Sequence, residues 1–338
     1  MLTEFALTPS VFDEIAHPSC AEWQDELREL GSGIFPRGAA SPAIVANLHG
    51  SAWYEVVANV VARIRDQRAR HLCQGLYTKL ADILVPRPCT TSTPSTELEW
   101  AQAALACPAK YPIDRIVVTK ATKDAERLDS PPVYALNEVQ TDNFWEAVSS
   151  SADPVMEIAP QVAQLRKVCL HAEFLWLVTP DIHGADDDET PFAIALIRSA
   201  FDRPAGFSVP EVEIHTQGPN LDPQSPEYTR RLTTAASNIR QSIKTALRSG
   251  QSVGLVIWKR LLDRLLIAGS YTRDVGGQRI RRPRWGVAMN HIARPGDLRR
   301  AIPPTHWNLL PGTALAQRFA WFGEANRPDR VRTEIVRG

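Results

Sequence analysis

Two periodicities divide the chain. The N-terminal part reads mostly as helix. Ala21–Leu30 has the pattern of a short helix, and Ala52–Val85 is the longest helical stretch, with Val56, Val57, Val60, Val61 and Ile64 recurring at a spacing of three to four. Its basic middle, "RIRDQRARH", reads as a solvated face. A Pro/Ser/Thr-rich loop, Val85–Glu97, ends in a cap for the helix "LEWAQAALA". "DRIVVTK" (Asp114–Lys120) alternates like a short strand, and "SPPVYALNEVQTDNFW" reads as a turn, a short strand and a helix start at Asp142. The small, polar run Ser149–Pro154 is the expected domain boundary.

Beyond it helices and strands alternate. Val155–His171 is amphipathic, with Ile158, Val162, Leu165, Val168 and Cys169 on one side. Phe174–Asp181 ("FLWLVTPD") is a nearly unbroken apolar run of strand length, as in a strand buried on both faces. "TPFAIALIRSAF" is a helix with Pro191 in its first turn. Val209–Gly218 alternates strictly, and Ser225–Gly250 is a long helix closed by a glycine. "SVGLVIWKR", "DRLLIAG" and Arg284–Ile292 are strands. The predicted class is α/β: a mixed sheet flanked by helices over residues 151–325, preceded by an α-rich accessory domain over 1–150 and followed by a tail, 326–338.

Composition narrows this picture little. The 338 residues are 44% hydrophobic and 22% charged, and 38 Lys+Arg balance 38 Asp+Glu, so attraction to a polyanion must come from a local patch. Cys20, Cys73, Cys89, Cys107 and Cys169 are odd in number, with no CxxC pair, which predicts reduced thiols in a cytosolic protein rather than a zinc site. No apolar run reaches the ~18 residues of a membrane helix. The N-terminus lacks the basic region and apolar core of a secretion signal.

Charge does change the picture between Lys259 and Arg300. Eleven basic residues (Lys259, Arg260, Arg264, Arg273, Arg279, Arg281, Arg282, Arg284, Arg294, Arg299 and Arg300) face three acids (Asp263, Asp274 and Asp297), an excess of eight. Tyr271 and Trp285 are interleaved. "RDVGGQRIRRPRW" has the glycines and proline of a loop, so its arginines are expected in solvent. Guanidinium forks suit phosphates and aromatic faces suit bases, which makes Lys259, Arg273, Arg279, Arg281, Arg282, Arg284 and Trp285 the candidate contacts to DNA or RNA. A contact to an acidic protein partner is the competing reading.

The order of elements over Pro154–Phe322 resembles the phospholipase D-like phosphodiesterase superfamily, in the variety found with bacterial defence and mobile-element genes. The helix and strand of "LRKVCLHAEFLWLVTPDI", then "PFAIALIRSAF" and "VEIHT", precede a stretch similar to the family's catalytic strand. Arg264 stands at its basic position, after Asp263, and Leu265, Leu266, Ile267 and Ala268 fill the four apolar positions. Gly276–Gly277, behind Asp274, resemble its glycine pair. Leu262 stands where the family has histidine and Gly269 where it has an acid. The resemblance implies a nucleophilic histidine that Leu262 cannot replace, hence a catalytically inactive, nucleic-acid-associated subunit of a bacterial multi-protein system, such as phage or plasmid defence. It also implies a protein partner, such as an ATPase or helicase, or a homodimer mate, and no membrane or cofactor. Leu262 is expected to face a buried, dry pocket.

Two other chemistries stay open. An active nuclease would use Arg264, Asp274 and His291. A metal would use the acidic loop "DIHGADDDE", through Asp181, His183 and Asp187, because hard cations take oxygen ligands. The loop fits no EF-hand spacing, and a solvated loop before a helix N-terminus explains it equally. His171 and His215 sit beside strands, as structural histidines do, and "EVEIH" (Glu211–His215) loosely resembles acidic nuclease strands. The aromatic C-terminal stretch "HWNLLPGTALAQRFAWFGEANRP" is expected to close the core.

Overall fold

The structure, a computed structural model, describes residues 1–49, 52–88, 93–107, 110–128, 131–146, 148–222, 224–295, 297, 304–325 and 327–338. The chain forms two compact units. One holds Leu2–Ser150 and Pro204–Phe207; the other holds Met1, Ser151–Arg203 and Ser208–Gly338. Among the described residues no helix is long and apolar enough to cross a membrane.

The N-terminal unit runs β1 (Thr3–Leu7), α1 (Cys20–Ile34), β2 (Ala43–Leu48), α2 (Ala52–Arg63), α3 (Gln67–Leu80), β3 (Leu84–Arg87), α4 (Glu97–Leu105), β4 (Arg115–Val118), α5 (Lys120–Glu126), β5 (Val133–Ala135) and α6 (Asp142–Trp145). Its strands form a parallel sheet in the order β3-β2-β1-β4-β5. This corrects the α-rich expectation: the helices are there, wrapped around a sheet. Strands β1 and β3 escape a sequence reading because they are short and carry polar residues. Glu4 of β1 and Arg87 of β3 are both fully buried and pair through two hydrogen bonds. The stretch Ala52–Val85 is not one helix. It breaks at Ile64–Asp66, where the Asp66 carboxylate caps α3 by accepting the Ala69 N–H at 2.7 Å, and it ends in β3.

The C-terminal unit runs β6 (Ser151–Ala152), α7 (Ile158–Gln164), α8 (Arg166–His171), β7 (Phe174–Val178), α9 (Thr190–Phe201), β8 (Glu211–Gln217), α10 (Pro226–Lys244), β9 (Ser252–Trp258), β10 (Leu265–Arg273), β11 (Arg279–Met289), β12 (Trp307–Leu309), α11 (Gly312–Gly323) and β13 (Arg330–Arg337). Eight strands pair in the order β13-β9-β8-β7-β10-β11-β12-β6. The three strands β7, β8 and β9 are parallel, and the other pairings are antiparallel. Every residue of β7 is buried, as its apolar run predicts. On one face Phe174, Trp176, Trp258 and Ile267 pack with Leu315 and Phe322 of α11, so the aromatic C-terminal stretch does close the core. The long helix ends at Lys244, and Gly250 instead takes a positive φ in the turn before β9.

The last residues are not a free tail, since β13 pairs along β9 from Arg330 to Arg337. Nor is "RDVGGQRIRRPRW" a loop. It is the turn and second strand of a hairpin, β10–β11, with register shifting between Ala268 and Gly269. The shift makes room for Pro283, which a regular central ladder would not accept. Cys20, Cys73, Cys107 and Cys169 are not in disulfides, and Cys89 lies outside the described residues. Burial pushes the Cys73 and Cys169 thiols up to about 12, which leaves them unreactive.

Gly269 is needed where the hairpin crosses β7. A Cβ there would collide with the Arg282 carbonyl and the Phe174 ring. Gly269→Ala should therefore cost about 2 kcal/mol or more, read as a lower urea midpoint with an unchanged slope; an unaltered midpoint would contradict this packing.

Candidate functional site

The basic run of the sequence is divided between opposite ends of one sheet. Lys259, Arg260 and Arg264 follow β9, and Arg294 follows β11, all at the carboxyl ends of β7, β8 and β9. Arg273, Arg279, Arg281 and Arg282 lie at the other end. The nine residues of β10 span about 30 Å at ~3.4 Å each, so the two groups cannot share one ligand contact. Arg299 and Arg300 lie outside the described residues.

At the amino end of β7 the hairpin outruns its neighbours. Pairing of β10 with β7 stops at Gly269–Phe174, and β11 meets β12 only at Val287–Met289. Residues 270–282 therefore form a two-stranded arm with a turn at Asp274–Gln278. Arg273, Arg279 and Arg282 are exposed on it, as are Val275 at the tip and Ile280. Arg273 and Arg279 stand directly opposite each other in the ladder, a like-charge pairing that destabilises a free hairpin. The Arg279 guanidinium lies 3.6 Å from the centre of the Tyr271 ring.

The base of the arm is braced. Arg281 pairs with Glu211 and, at 2.6 Å, with Glu213, and sits 5.2 Å from the Trp176 ring centre. Burial disfavours its charge, but its Tyr271 hydrogen bond and these carboxylates outweigh that and hold its pKa above the usual value. Arg281 is thus a strut and not the solvent-facing contact expected. Trp285 is buried, with Arg284 4.8 Å over its ring, so its face is not open to a base as expected. Lys259 is exposed but belongs to the far end.

The far end holds a closed charge cluster. Arg264 donates through Nε to Glu189 at 2.8 Å and through Nη2 to Asp181. Arg294 donates to Asp181 at 2.5 Å and to Glu189 at 3.1 Å. Thr179 adds its hydroxyl to Glu189, which is fully buried. Two cations and two carboxylates cancel. For Arg294, burial opposes the charge and the two carboxylates outweigh it, so its pKa is raised.

This arrangement corrects several expectations. Leu262 lies in the β9–β10 connection and is 89% exposed, not in a dry pocket. Arg264 precedes β10 and is bound by carboxylates. Asp274 is at the hairpin turn, accepting the Gln278 N–H at 2.7 Å, a full strand away from Arg264. His291 is at the Arg264 end but pairs with buried Asp297 at 3.1 Å. Arg264, Asp274 and His291 therefore form no common site. In the acidic loop Asp181 faces arginines, and His183 and Asp187 are exposed. Asp188 orders the loop by accepting N–H groups of His183, Ala185 and Thr190. Among the described residues no group of His, Cys, Asp and Glu is placed to hold a metal.

No protein-family model matches the chain, and a search of curated proteins finds no match. Its chemistry rests on the side chains themselves.

Between the two ends lies a buried relay. The Trp258 indole N–H donates to His215 Nδ1 at 3.2 Å, so Nε2 carries the proton and faces Glu213 at 3.3 Å. Burial holds His215 below its ordinary pKa, against the pull of Glu213. Burial alone would raise Glu213, but His215 and Arg281 outweigh it and hold it at about 2. Glu189, Glu211 and Glu213 lie in stretches whose acidity shows in the sequence, but the arginine each one meets does not, because the pairs form only through the sheet.

Two outcomes follow. Glu189→Ala leaves Arg264 and Arg294 sharing one carboxylate and should cost about 3 kcal/mol, measured by urea unfolding against wild type. The folded state binds fewer protons at His215 than the unfolded chain does, so stability should fall as pH drops below about 6.5. The Glu213 contribution goes separately, as pH falls from about 4.3 toward its folded value. In His215→Gln the slope of unfolding free energy between about pH 7 and pH 5 should flatten; an equal slope in both proteins would place the titration elsewhere.

Proposed function

We propose that the C-terminal unit binds nucleic acid through the β10–β11 arm, chiefly through phosphate contacts from Arg273 and Arg279. The observation that carries this reading is the pairing of Arg273 with Arg279 on a ribbon that projects past its neighbours. Like charges set face to face cost stability in a free hairpin, and an anion lying against them removes the cost. A two-stranded ribbon fits the width of a duplex groove. The exposed Val275 at the tip is the kind of apolar side chain that accompanies basic residues in groove-entering arms. Duplex DNA of any sequence is the expected ligand, since phosphate contacts position a protein on the duplex without reading its bases.

The reading assigns the chain a binding role and no phosphodiester cleavage by the Arg264 end. There Asp181 and Glu189 already saturate both guanidinium groups, so neither can neutralise a phosphate without breaking the cluster.

Fluorescence anisotropy of a labelled duplex across a salt series tests the reading. Affinity should fall steeply with salt, and changing Arg273 and Arg279 together to alanine should flatten the log–log slope by about 0.9 for each phosphate no longer neutralised. Arg281 must be left in place, because it braces the arm. A double variant that binds with the wild-type slope would overturn the proposal and favour a protein partner for the arm.

A further inference from the structure

The eight-stranded sheet ends in two unlike edges. Strand β6 has two residues, whereas β13 has eight, and among the described residues no strand covers its outer side. An uncovered strand of that length is a template for pairing. The ladder shows which amides face out. Arg337 lies opposite Ser252, and the Gly338 N–H donates to Gln251 O at 3.0 Å. Gly338, Val336, Glu334 and Arg332 thus turn toward β9, and Arg337, Ile335 and Thr333 turn their N–H and C=O groups outward. Ile335 is 65% exposed, a large apolar side chain beside those unused groups.

We propose that β13 pairs antiparallel with β13 of a second copy of this chain, on a two-fold axis at Thr333, joining two sheets into one. The regular part of the strand, Arg332 to Arg337 ("RTEIVR"), favours that register. Centring the pair on Arg332 sets two arginines face to face, and centring it on Glu334 sets two glutamates face to face. Centring it on Thr333 places Arg332 opposite Glu334 twice, within the regular stretch that follows the register shift at Val331, whereas centring it on Ile335 leaves Arg332 and Glu334 without a charged partner. The charged pairs fall at the sites without hydrogen bonds, where side chains approach most closely. Within one chain Arg332 and Glu334 pair with each other; in the dimer each exchanges that partner for its counterpart across the axis. This inference is independent of the role of the arm.

Sedimentation of the full chain over a concentration series tests it. Wild type should show a monomer–dimer equilibrium. Glu334→Arg places like charges opposite each other twice and should weaken dimerisation about tenfold or more. The double exchange Arg332→Glu with Glu334→Arg keeps complementary pairs and should restore it, which also separates a failure to pair from a failure to fold. Thr333→Cys should form a disulfide-linked dimer under mild oxidation, because directly opposed residues at such a site are about 5.5 Å apart at Cα. A wild type that stays monomeric, a Glu334→Arg variant that dimerises as tightly as wild type, or a double exchange that fails to restore the dimer would each overturn the proposal.

Discussion

The fully buried carboxylate of Glu189 constrains the C-terminal unit more than any other group. An ionised acid with no access to water must be paired. It sits at the start of α9, just past the carboxyl end of β7, and takes hydrogen bonds from Thr179, Arg264 and Arg294. Those arginines come from two distant places in the sequence, the β9–β10 connection and the loop after β11. Satisfying one acid therefore ties the start of β10 and the segment after β11 to the same end of the sheet. Once β10 begins there, it must run antiparallel to β7, and the turn of the hairpin must emerge at the opposite end. The position of the arm follows from where the buried acid is neutralised.

The arm itself shows how strand register places a charge where it braces the fold. Of its four arginines, Arg281 points onto the face that carries Glu211, Glu213 and Trp176 and is used there. Arg282, the next residue, falls on the other face by strand alternation. A single register decides which face each guanidinium takes; Arg279, two residues before Arg281, shares its face but lies nearer the turn, over Tyr271. The bulge at Ala268–Gly269 matters for the same reason, because a one-residue slip exchanges the two faces. Glycine at 269 and proline at 283 are the residues that admit this irregularity.

Much of the C-terminal fold is legible in the sequence, because buried parallel strands read as continuous apolar runs and long helices carry caps. Phe174–Val178 and Pro226–Lys244 are examples, the latter with Ser225 capping its first turn at 3.1 Å. The N-terminal sheet is far less legible. Thr3 and Glu4 in β1, and Pro86 and Arg87 in β3, break the apolar pattern; Glu4 and Arg87 are tolerated because they meet across the sheet, and Pro86 because it is exposed on an edge strand. Long-range pairing is invisible to a local reading. The same limit explains the site: a net count of charges between Lys259 and Arg300 describes a basic segment, whereas the fold neutralises Arg264, Arg281 and Arg294 with acids up to 113 residues away.

Each unit also fills the place where open α/β sheets commonly receive ligands, the crevice at the carboxyl ends of strands where the chain reverses its winding. In the N-terminal sheet that point lies between β1 and β4. There Glu97 accepts hydrogen bonds from the Thr8 hydroxyl at 2.8 Å, from the Thr119 N–H and hydroxyl at 2.6 and 2.8 Å, and from the Thr122 hydroxyl at 2.6 Å. In the C-terminal sheet it lies between β7 and β10, where Asp181 and Glu189 meet Arg264 and Arg294. In both, an acid of the chain itself takes up the donors that an anionic ligand would need. Any incoming phosphate would have to displace a carboxylate already held by several donors, at the cost of leaving that acid unpaired. The arginines of the cluster itself are thus not open to a polyanion, whereas Arg273 and Arg279 stand exposed on the projecting arm, away from the crevice.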